Sequence, residues 1–533
     1  MVAQEGDGVS AEVATGKRPT IDDARAILSE HFGYQDFRLG QERMIAAALA
    51  GRDSLAVMPT GSGKSICYQV PAALFDGLTI VVSPLVSLMA DQVRALKEAG
   101  LRGSFYNSTL KPRVRPEVLR RALAGWYDVM YVAPERLTDP AFRAFAAQAN
   151  VPLVAVDEAH CVSQWGQDFR PSYQAIAGFV NSLPTRPPVM ALTATATAHV
   201  RSDIASLLGL HDPVVQVSGF DRPNLRFACL ELTPKQREQW LVSYIRSHPG
   251  DAGIVYAPTR KKVEQIANKL SLSGISAAAY HAGLSDAERS EAQRMFVNDD
   301  VLVLVATTAF GMGIDKSNVR FVVNCGLPLS LEEYYQEAGR AGRDGEPAEC
   351  YLLWSRGDIR VCHFFIDNVE AEGLSEADRD RVVASKERLL GEMIGYAMST
   401  SCLRRRILRY FGQDVSGMPV GCRNCSVCEG ESAERYLAPK RLSSTSVRVR
   451  HLREEDDYPS RDDDEELFSR LRSVRKELAD LQGVPPYVIF SDATLRAMVR
   501  RRPSTAEELL QVSGVGNVKL ERYGRRFLDA LKG

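Results

Sequence analysis

The sequence predicts an α/β fold of two parallel-sheet lobes, followed by a cysteine-bearing helical module and a small all-helical bundle. Three observations predict it. Short apolar β-type runs that end in glycine, hydroxyl or carboxylate loops alternate with helical patterns through the first two thirds of the chain. The strand-then-helix pattern starts afresh at Gly253 to Ala257, which divides the α/β region in two. Cys402 and the close-spaced Cys422, Cys425 and Cys428 then precede a C-terminal stretch with helical periodicity.

The first lobe opens on its most specific element. Leu55-Ala56-Val57-Met58 reads as a buried strand running into Thr60-Gly61-Ser62-Gly63-Lys64-Ser65. Gly61 and Gly63 free the turn to bend its N–H groups around phosphates, and a helix starts near Lys64. Lys64 would reach the β/γ-phosphates of a nucleoside triphosphate, and the Ser65 hydroxyl would bind Mg²⁺. Met58 stands where the G-x-x-x-x-G-K-[ST] pattern has its first glycine, so the strand–loop–helix context carries the assignment. Asp157 lies 92 residues after Ser65, at the end of a second β-run, Leu153-Val154-Ala155-Val156, and begins Asp157-Glu158-Ala159-His160. A carboxylate there sits where α/β folds bind ligands. Asp157 would hold Mg²⁺, and Glu158 would orient or deprotonate the attacking water.

Further motifs flank these two. Phe32-Gly33-Tyr34, Phe37-Arg38 and Gln41 precede the cradle. Gln41 carries the donor and acceptor that bracket adenine N6/N7, and Tyr34 and Arg38 offer planes to stack on the base. Ser83-Pro84-Leu85, with Ser87 and Asp91-Gln92, follows the strand Thr79 to Val82, and Ala133-Pro134-Glu135-Arg136-Leu137 comes later. Cys161 to Arg170 reads CVSQWGQDFR. Its Trp165 and Phe169 would stack on bases, a contact worth ~1–3 kcal/mol each, and Arg170 would touch phosphate. Leu192-Thr193-Ala194-Thr195-Ala196 offers small hydroxyls able to exchange hydrogen bonds as a cleft closes. In the second lobe follow His281-Ala282-Gly283, then Ala306 to Asp315 with Thr307, then Gln336 to Asp344.

In this order the motifs resemble the RecQ family of DNA helicases, in helicase superfamily 2, from about residue 28 to 428 and again over the last 69 residues. The resemblance implies RecA-like lobes of the P-loop NTPase class, at about 21–216 and 217–358, that close on ATP and Mg²⁺. Arg343 would be the arginine finger with Arg340 beside it, since a planar, permanent cation stabilises charge on a transferring phosphoryl group. Ser83 and Thr307 would join the DNA contacts, and the CVSQWGQDFR loop would couple DNA contact to hydrolysis. The implied activity is ATP-driven 3′→5′ translocation and unwinding in repair, recombination or replication. The implied partners are single-stranded, tailed or forked DNA, and a single-strand-binding protein or topoisomerase.

Composition sets bounds without choosing among these. The 533 residues suffice for about three to four domains, and 45% hydrophobic with 25% charged residues is globular. The net charge of −1 neither supports nor refutes DNA binding, which needs a basic track rather than a basic chain. No apolar run is long enough for a membrane span, and residues 1–20 read as a disordered polar tail without a signal-peptide core. An intracellular, cytoplasmic protein is expected, nucleoid-associated if bacterial.

Cys422-x-x-Cys425-x-x-Cys428, with Cys402 on a preceding amphipathic segment, fits tetrahedral Zn²⁺ in a closed structural site. Arg404, Arg405, Arg406 and Arg423 are expected to offset the thiolate charge. The arrangement resembles the RecQ zinc module, about 359–430. Between Cys428 and Glu465 only 36 residues intervene, too few for the winged-helix domain that family members commonly carry there. Ser443–Ser446 and the acidic runs Glu454–Asp457 and Asp462–Asp464 make 431–464 read as a flexible linker. Residues 465–533 resemble the helical HRDC domain, with 13 Lys/Arg against 9 Asp/Glu, and Tyr487 and Lys519 as candidate DNA contacts. Three other readings remain: a DNA-stimulated translocase that unwinds weakly without the winged helix, a non-catalytic DNA-binding protein, and an RNA helicase.

Overall fold

The computed structural model describes residues 18–59, 61–165, 168–310, 316–368, 376–432, 434–437 and 462–532. Outside the described residues lie most of the N-terminal tail, Thr60 of the cradle, Gly166 and Gln167 of the aromatic loop, Gly311 to Asp315, and most of the expected linker.

Seven strands form the first sheet: β1 (Ser54–Val57), β2 (Thr79–Val82), β3 (Gly103–Tyr106), β4 (Val129–Val132), β5 (Val154–Val156), β6 (Val189–Thr193) and β7 (Val214–Val217). Their order is β3-β4-β2-β5-β6-β1-β7, and every pairing is parallel. Every residue of β1, β2, β4, β5 and β6 is buried, because helices cover both faces; such strands read as unbroken apolar runs. β7 alternates in exposure, as an edge strand with one open face does.

The second sheet has β8 (Leu225–Glu231), β9 (Ala252–Tyr256), β10 (Ala277–Tyr280), β11 (Val303–Ala306), β12 (Val319–Cys325) and β13 (Ala348–Trp354). Its order is β10-β11-β9-β12-β13-β8, again all parallel. The sequence-derived strands Leu55 to Met58, Leu153 to Val156 and Gly253 to Ala257 each fall within one residue of an observed strand end.

Between the lobes the chain is pinned at Phe220. Its ring stacks on Phe411 at 4.5 Å and 15°, its N–H donates to Gln413 Oε1 at 2.7 Å, and its carbonyl accepts from Tyr335 OH at 2.7 Å. Burying that ring contributes roughly 1.5–3 kcal/mol and joins both lobes to the cysteine-bearing module in one continuous apolar cluster.

The C-terminal helices Asp462–Gln482, Pro486–Ile489, Asp492–Arg501, Ala506–Leu510 and Asn517–Lys532 surround their own core of Leu471, Ile489, Phe490, Leu495, Met498 and Phe527. Ser491 and Thr505 cap their helices by accepting from Thr494 N and Glu508 N, as the sequence pattern requires. The bundle rests on both lobes. Lys476 Nζ donates to Asn298 O (3.1 Å) and Asp300 Oδ1 (3.0 Å) of the second lobe. Gly33 of the first lobe meets Gly516 so closely that an added Cβ would lie 3.1 Å from the Gly516 nitrogen.

Two pieces of the expected linker are structured. Glu434–Leu437 is a short helix on the helix Pro234–Ser247, where the Tyr436 ring lies edge-on to Trp240 (5.2 Å) and Tyr244 (5.4 Å). Tyr436 and Leu437 find an apolar slot that composition alone could not show. Asp463 and Asp464 lie in the first turn of the helix Asp462–Gln482, where carboxylates are favoured by the positive end of the helix dipole. Among the described residues no helix is long and apolar enough to cross a membrane.

Asp53, at the entry to β1, holds the cradle strand in place. Its carboxylate accepts from Arg186 (3.1 and 2.7 Å), Val189 N (2.8 Å) and His211 N (2.7 Å). Burial pushes its pKa up, but Arg186 and the two backbone donors outweigh burial and hold it below the ordinary 3.8. The resulting stability is fully present above that value and is lost as pH falls through the depressed folded value. Asp53→Ala, which takes the carboxylate from Arg186 and the acceptor from two backbone N–H groups, is expected to cost about 3–5 kcal/mol in urea unfolding at pH 7. The difference from the native chain should shrink in acid; a loss below about 1 kcal/mol at pH 7 would contradict this.

Candidate active site and inter-lobe cleft

β1 and β5 are separated in the sheet only by β6, so their C-terminal ends deliver the cradle and the carboxylates to one place. The cradle turn needs its glycines: Gly61 has φ +82° and Gly63 φ +79°. Ser62 closes the turn by donating N–H (3.1 Å) and Oγ (2.6 Å) to Pro59 O, and Lys64 Nζ donates to Met58 O at 3.2 Å. Ser65 stands at the N-terminal cap of the helix Ile66–Leu74.

Across from it, Glu158 adopts φ 47°, ψ 47°, a left-handed conformation that costs a non-glycine residue about 1–3 kcal/mol. The turn is held by Glu158 N donating to Asp157 Oδ1 (3.0 Å) and Tyr173 OH donating to Asp157 O (2.8 Å). Tyr173 belongs to no motif, and no sequence signal marked it. Burial and the adjacent Glu158 raise the Asp157 carboxyl. Burial works in the same direction on Glu158, but His160 and then Lys64 and Arg340 outweigh it and keep that carboxyl low. The His160 ring, also buried, lies 3.3 Å from Glu158 and 2.9 Å from Thr193 Oγ1. Burial lowers the Lys64 ammonium, Glu158 and Asp157 pull it back up, and Arg343 lowers it further.

The second lobe completes this group. An added Cβ on Gly61 would lie 3.3 Å from the Arg343 side chain, so the arginine packs directly on the cradle. Arg340 is buried, and its charge acts on Glu158. Gln336 Nε2 donates to Thr195 Oγ1 at 3.0 Å, a direct hydrogen bond between lobes. Thr195 N in turn donates to Thr193 Oγ1 at 3.3 Å. A hydroxyl such as that of Ser65 and a carboxylate such as that of Asp157 are oxygen donors of the kind Mg²⁺ takes alongside phosphate oxygens.

Several expected contacts are engaged elsewhere. Gln41 donates to Ser62 O (3.1 Å) and Gly63 O (2.9 Å) and accepts from Arg38 N (2.8 Å), so its amide braces the cradle. Arg38 donates to Gly61 O at 2.8 Å and lies 5.8 Å over the half-exposed Tyr34 ring. Ser83 is buried, with its N–H given to Val132 O (3.1 Å), so its side chain is not on the cleft surface. Arg170 is held by Asp168 (3.1 and 3.0 Å) and by Pro84 O (3.2 Å), which ties the aromatic loop to the Ser83-Pro84-Leu85 segment. Phe169 and Tyr487 line the same cleft between the lobes, and Thr307 stands at the end of β11 with its N–H on Tyr280 O at 3.2 Å. Trp165 is partly exposed, with its ring 5.3 Å from that of His199. Lys519 is turned inward: Nζ donates to Val488 O at 2.8 Å and lies 5.6 Å over Phe490. Burial drops its pKa to about 8 against the pull of Glu98 in the first lobe. The helix Glu376–Ala397 adds Ser385 and Lys386 to the cleft wall, residues that no motif marked.

The sulfurs of Cys402, Cys422, Cys425 and Cys428 all lie within 4.8 Å of one another. Tetrahedral Zn–S bonds near 2.3 Å put sulfurs roughly 3.8 Å apart, so the four fit Zn²⁺ with small adjustment. Asn424 N donates to Cys422 Sγ at 3.4 Å, as a metal knuckle requires. The neighbouring arginines have other tasks: Arg404 binds Asp221 (2.6 Å), Arg222 O (2.8 Å) and Leu225 O, and Arg405 binds Met418 O (2.6 Å) and Pro419 O (2.7 Å). Arg404 and Arg405 thereby fasten the module to β8 and its own loop.

Known proteins match along nearly the whole chain. Family profiles match for the DEAD/DEAH box helicase at residues 38–203, the helicase conserved C-terminal domain at 236–345, the RecQ zinc-binding domain at 356–429 and the HRDC domain at 464–531. The ATP-dependent DNA helicase RecQ of Bacillus subtilis (strain 168) is 38% identical, over 96% of this chain and 98% of that protein. The protein of the same name from Pasteurella multocida is 36% identical, over 96% and 94%. The first alignment runs over 590 positions against the 533 residues here, so at least 57 positions of the relative have no counterpart. Among solved structures, Mss116p bound to single-stranded RNA and AMP-PNP gives a TM-score of 0.55 at 15% identity, over 73% of this chain and 88% of that one. The helicase MrfA bound to DNA and AMPPNP gives 0.53 at 19%, over 68% and 56%. These two show the shared fold.

Cys425→Ser is expected to reduce zinc, measured by metal analysis of the purified chain, from about one ion per chain toward none, and to lower the thermal unfolding midpoint. Undiminished zinc with an unchanged midpoint would contradict the four-sulfur site.

Proposed function

The chain belongs to the RecQ family of ATP-dependent DNA helicases, and on that footing we propose that it moves 3′→5′ along single-stranded DNA with one composite ATP site. The observation that carries this reading is the packing of Arg343, from the second lobe, against Gly61 of the first lobe's phosphate cradle.

In this reading the cradle N–H groups and Lys64 bind the triphosphate, while Ser65 and Asp157 hold Mg²⁺, which supplies charge neutralisation at the phosphates. Glu158, kept ionised by His160, Lys64 and Arg340, orients the attacking water and receives its proton. Arg343 and Arg340 stabilise the charge on the transferring phosphoryl group. Gln41, Arg38 and Tyr34 stand at the adenine edge and report occupancy to the cradle through the Ser62 and Gly63 carbonyls. Loss of the γ-phosphate removes the group that Lys64 and Arg343 share, and the lobes separate across the Gln336–Thr195 hydrogen bond. DNA runs through the cleft past Phe169, Trp165 and Thr307, with Tyr487 at its margin. A single-strand-binding protein or a topoisomerase is proposed only as a further partner.

One observation favours a second reading. The relative's 57 or more unmatched positions, with only 36 residues between Cys428 and Glu465, support a chain that lacks the winged helix, and hence a translocase with weak strand separation. A single experiment separates the two: strand separation of 3′-tailed and 5′-tailed duplexes, with ATP hydrolysis followed in the same tube. Unwinding of the 3′-tailed substrate alone is expected. Robust DNA-stimulated hydrolysis with flat unwinding would select the translocase, and unwinding of only the 5′-tailed substrate would overturn the polarity.

A further inference from the structure

The aromatic loop is anchored at its base by Arg170 N donating to Cys161 O at 2.8 Å, and its first half is held from a different direction. The Ser163 hydroxyl, fully buried, donates to Asp203 Oδ2 at 2.7 Å and accepts from Trp165 N at 3.2 Å. The Trp165 indole rests beside the His199 ring at 5.3 Å, tilted by 47°, and His199 Nδ1 lies 4.0 Å from Asp203 Oδ1. His199 and Asp203 are four residues apart on the helix Ala198–Leu207, hence on one face of it, and that face is turned to the loop.

This helix begins where the inter-lobe segment ends. Thr197 caps it by accepting from Val200 N, two residues after Thr195, whose hydroxyl takes the hydrogen bond from Gln336 of the second lobe. Thr193, at the other end of the segment, bonds His160 at 2.9 Å. The indole, the brace, the lobe seam and the hydrolytic carboxylate are therefore joined by one short helix and its cap.

We propose that His199 and Asp203 are positioning residues that seat Trp165, so that a base drawing the indole off His199 is felt at the Thr195–Gln336 seam through the helix Ala198–Leu207. Neither residue belongs to the phosphate cradle or to the Asp157–His160 segment, and both stand outside every motif that the sequence displays. His199 is mostly exposed, so its placement serves the indole and not the lobe's core. The proposal rests on the reading that Trp165 contacts DNA.

The test uses the full chain and a single-stranded oligonucleotide, with ATP turnover measured with and without DNA. Trp165→Ala must first reduce DNA stimulation; if it does not, the reading of Trp165 fails before the brace is in question. Asp203→Ala and His199→Ala are then expected to cut the fold-stimulation by DNA about five-fold or more, with DNA-free turnover and KM for ATP kept within about two-fold. Asp203→Asn, whose amide oxygen still accepts from Ser163, and His199→Phe, which still offers a ring face, are expected to restore it. Native stimulation in both alanine variants would overturn the proposal. So would a parallel fall in DNA-free turnover, or Asn and Phe variants as impaired as the alanines. The exposed His199 position keeps the test decisive should Asp203→Ala fold poorly.

Discussion

Opposite charges sit close together at the lobe seam, partly withdrawn from water, and much of the cleft's structure follows from pairing them. Lys64, Asp157, Glu158, His160 and Arg340 all meet a desolvation cost, and a buried charge without its partner is among the most destabilising features a chain can carry. The first lobe supplies the carboxylates, the lysine and the histidine. The second supplies the two arginines. The arginines reach this group only from the second lobe, so the complete set assembles only where the two lobes meet.

That constraint fits the way polar side chains of the cleft bond to other protein groups and not to open space. Gln41 grips the cradle carbonyls, Arg170 ties the aromatic loop to Pro84, and Gln336 spans the seam to Thr195. Each link fixes a defined resting position for the segment it holds. The C-terminal bundle extends the same logic. Lys316, buried in the second lobe, pairs with Asp299, which Arg472 approaches to 4.0 Å; Arg475, buried in the bundle, pairs with Asp492 at 2.7 Å. Through the Arg472–Asp299 approach, the Lys476 contacts with Asn298 and Asp300 and the Gly33–Gly516 approach, the bundle lies across the cleft mouth instead of trailing on a tether.

The sheets and the cradle were legible because their signals are local. Buried parallel strands are unbroken apolar runs, and a phosphate turn must place glycine at positive φ, as Gly61 and Gly63 do. The cysteine group was legible because short thiol spacing has few other uses. Long polar side chains were the opposite case. Arg404, Arg170, Gln41 and Lys519 each have a residue type that suits ligand contact, yet their partners come from chain segments or backbone groups that only the tertiary fold brings near. His199 and Asp203 were silent for a related reason: an i, i+4 His–Asp pair on a helix is ordinary until a loop is found against it. Tyr436 was hidden within a polar, acidic stretch whose composition argued for solvent.

Arg343→Ala probes most directly the proposal that two lobes make one hydrolytic site. Turnover of ATP at saturating DNA and binding of a non-hydrolysable ATP analogue to the same preparation are to be measured together. The account predicts a fall in kcat of about 10³-fold or more, with analogue affinity kept within several-fold, because the arginine acts on the transferring phosphoryl group and the first lobe holds the nucleotide. A variant that hydrolyses ATP at the native rate would show that the second lobe's arginine is packed on Gly61 for structure alone, and the composite site would have to be abandoned.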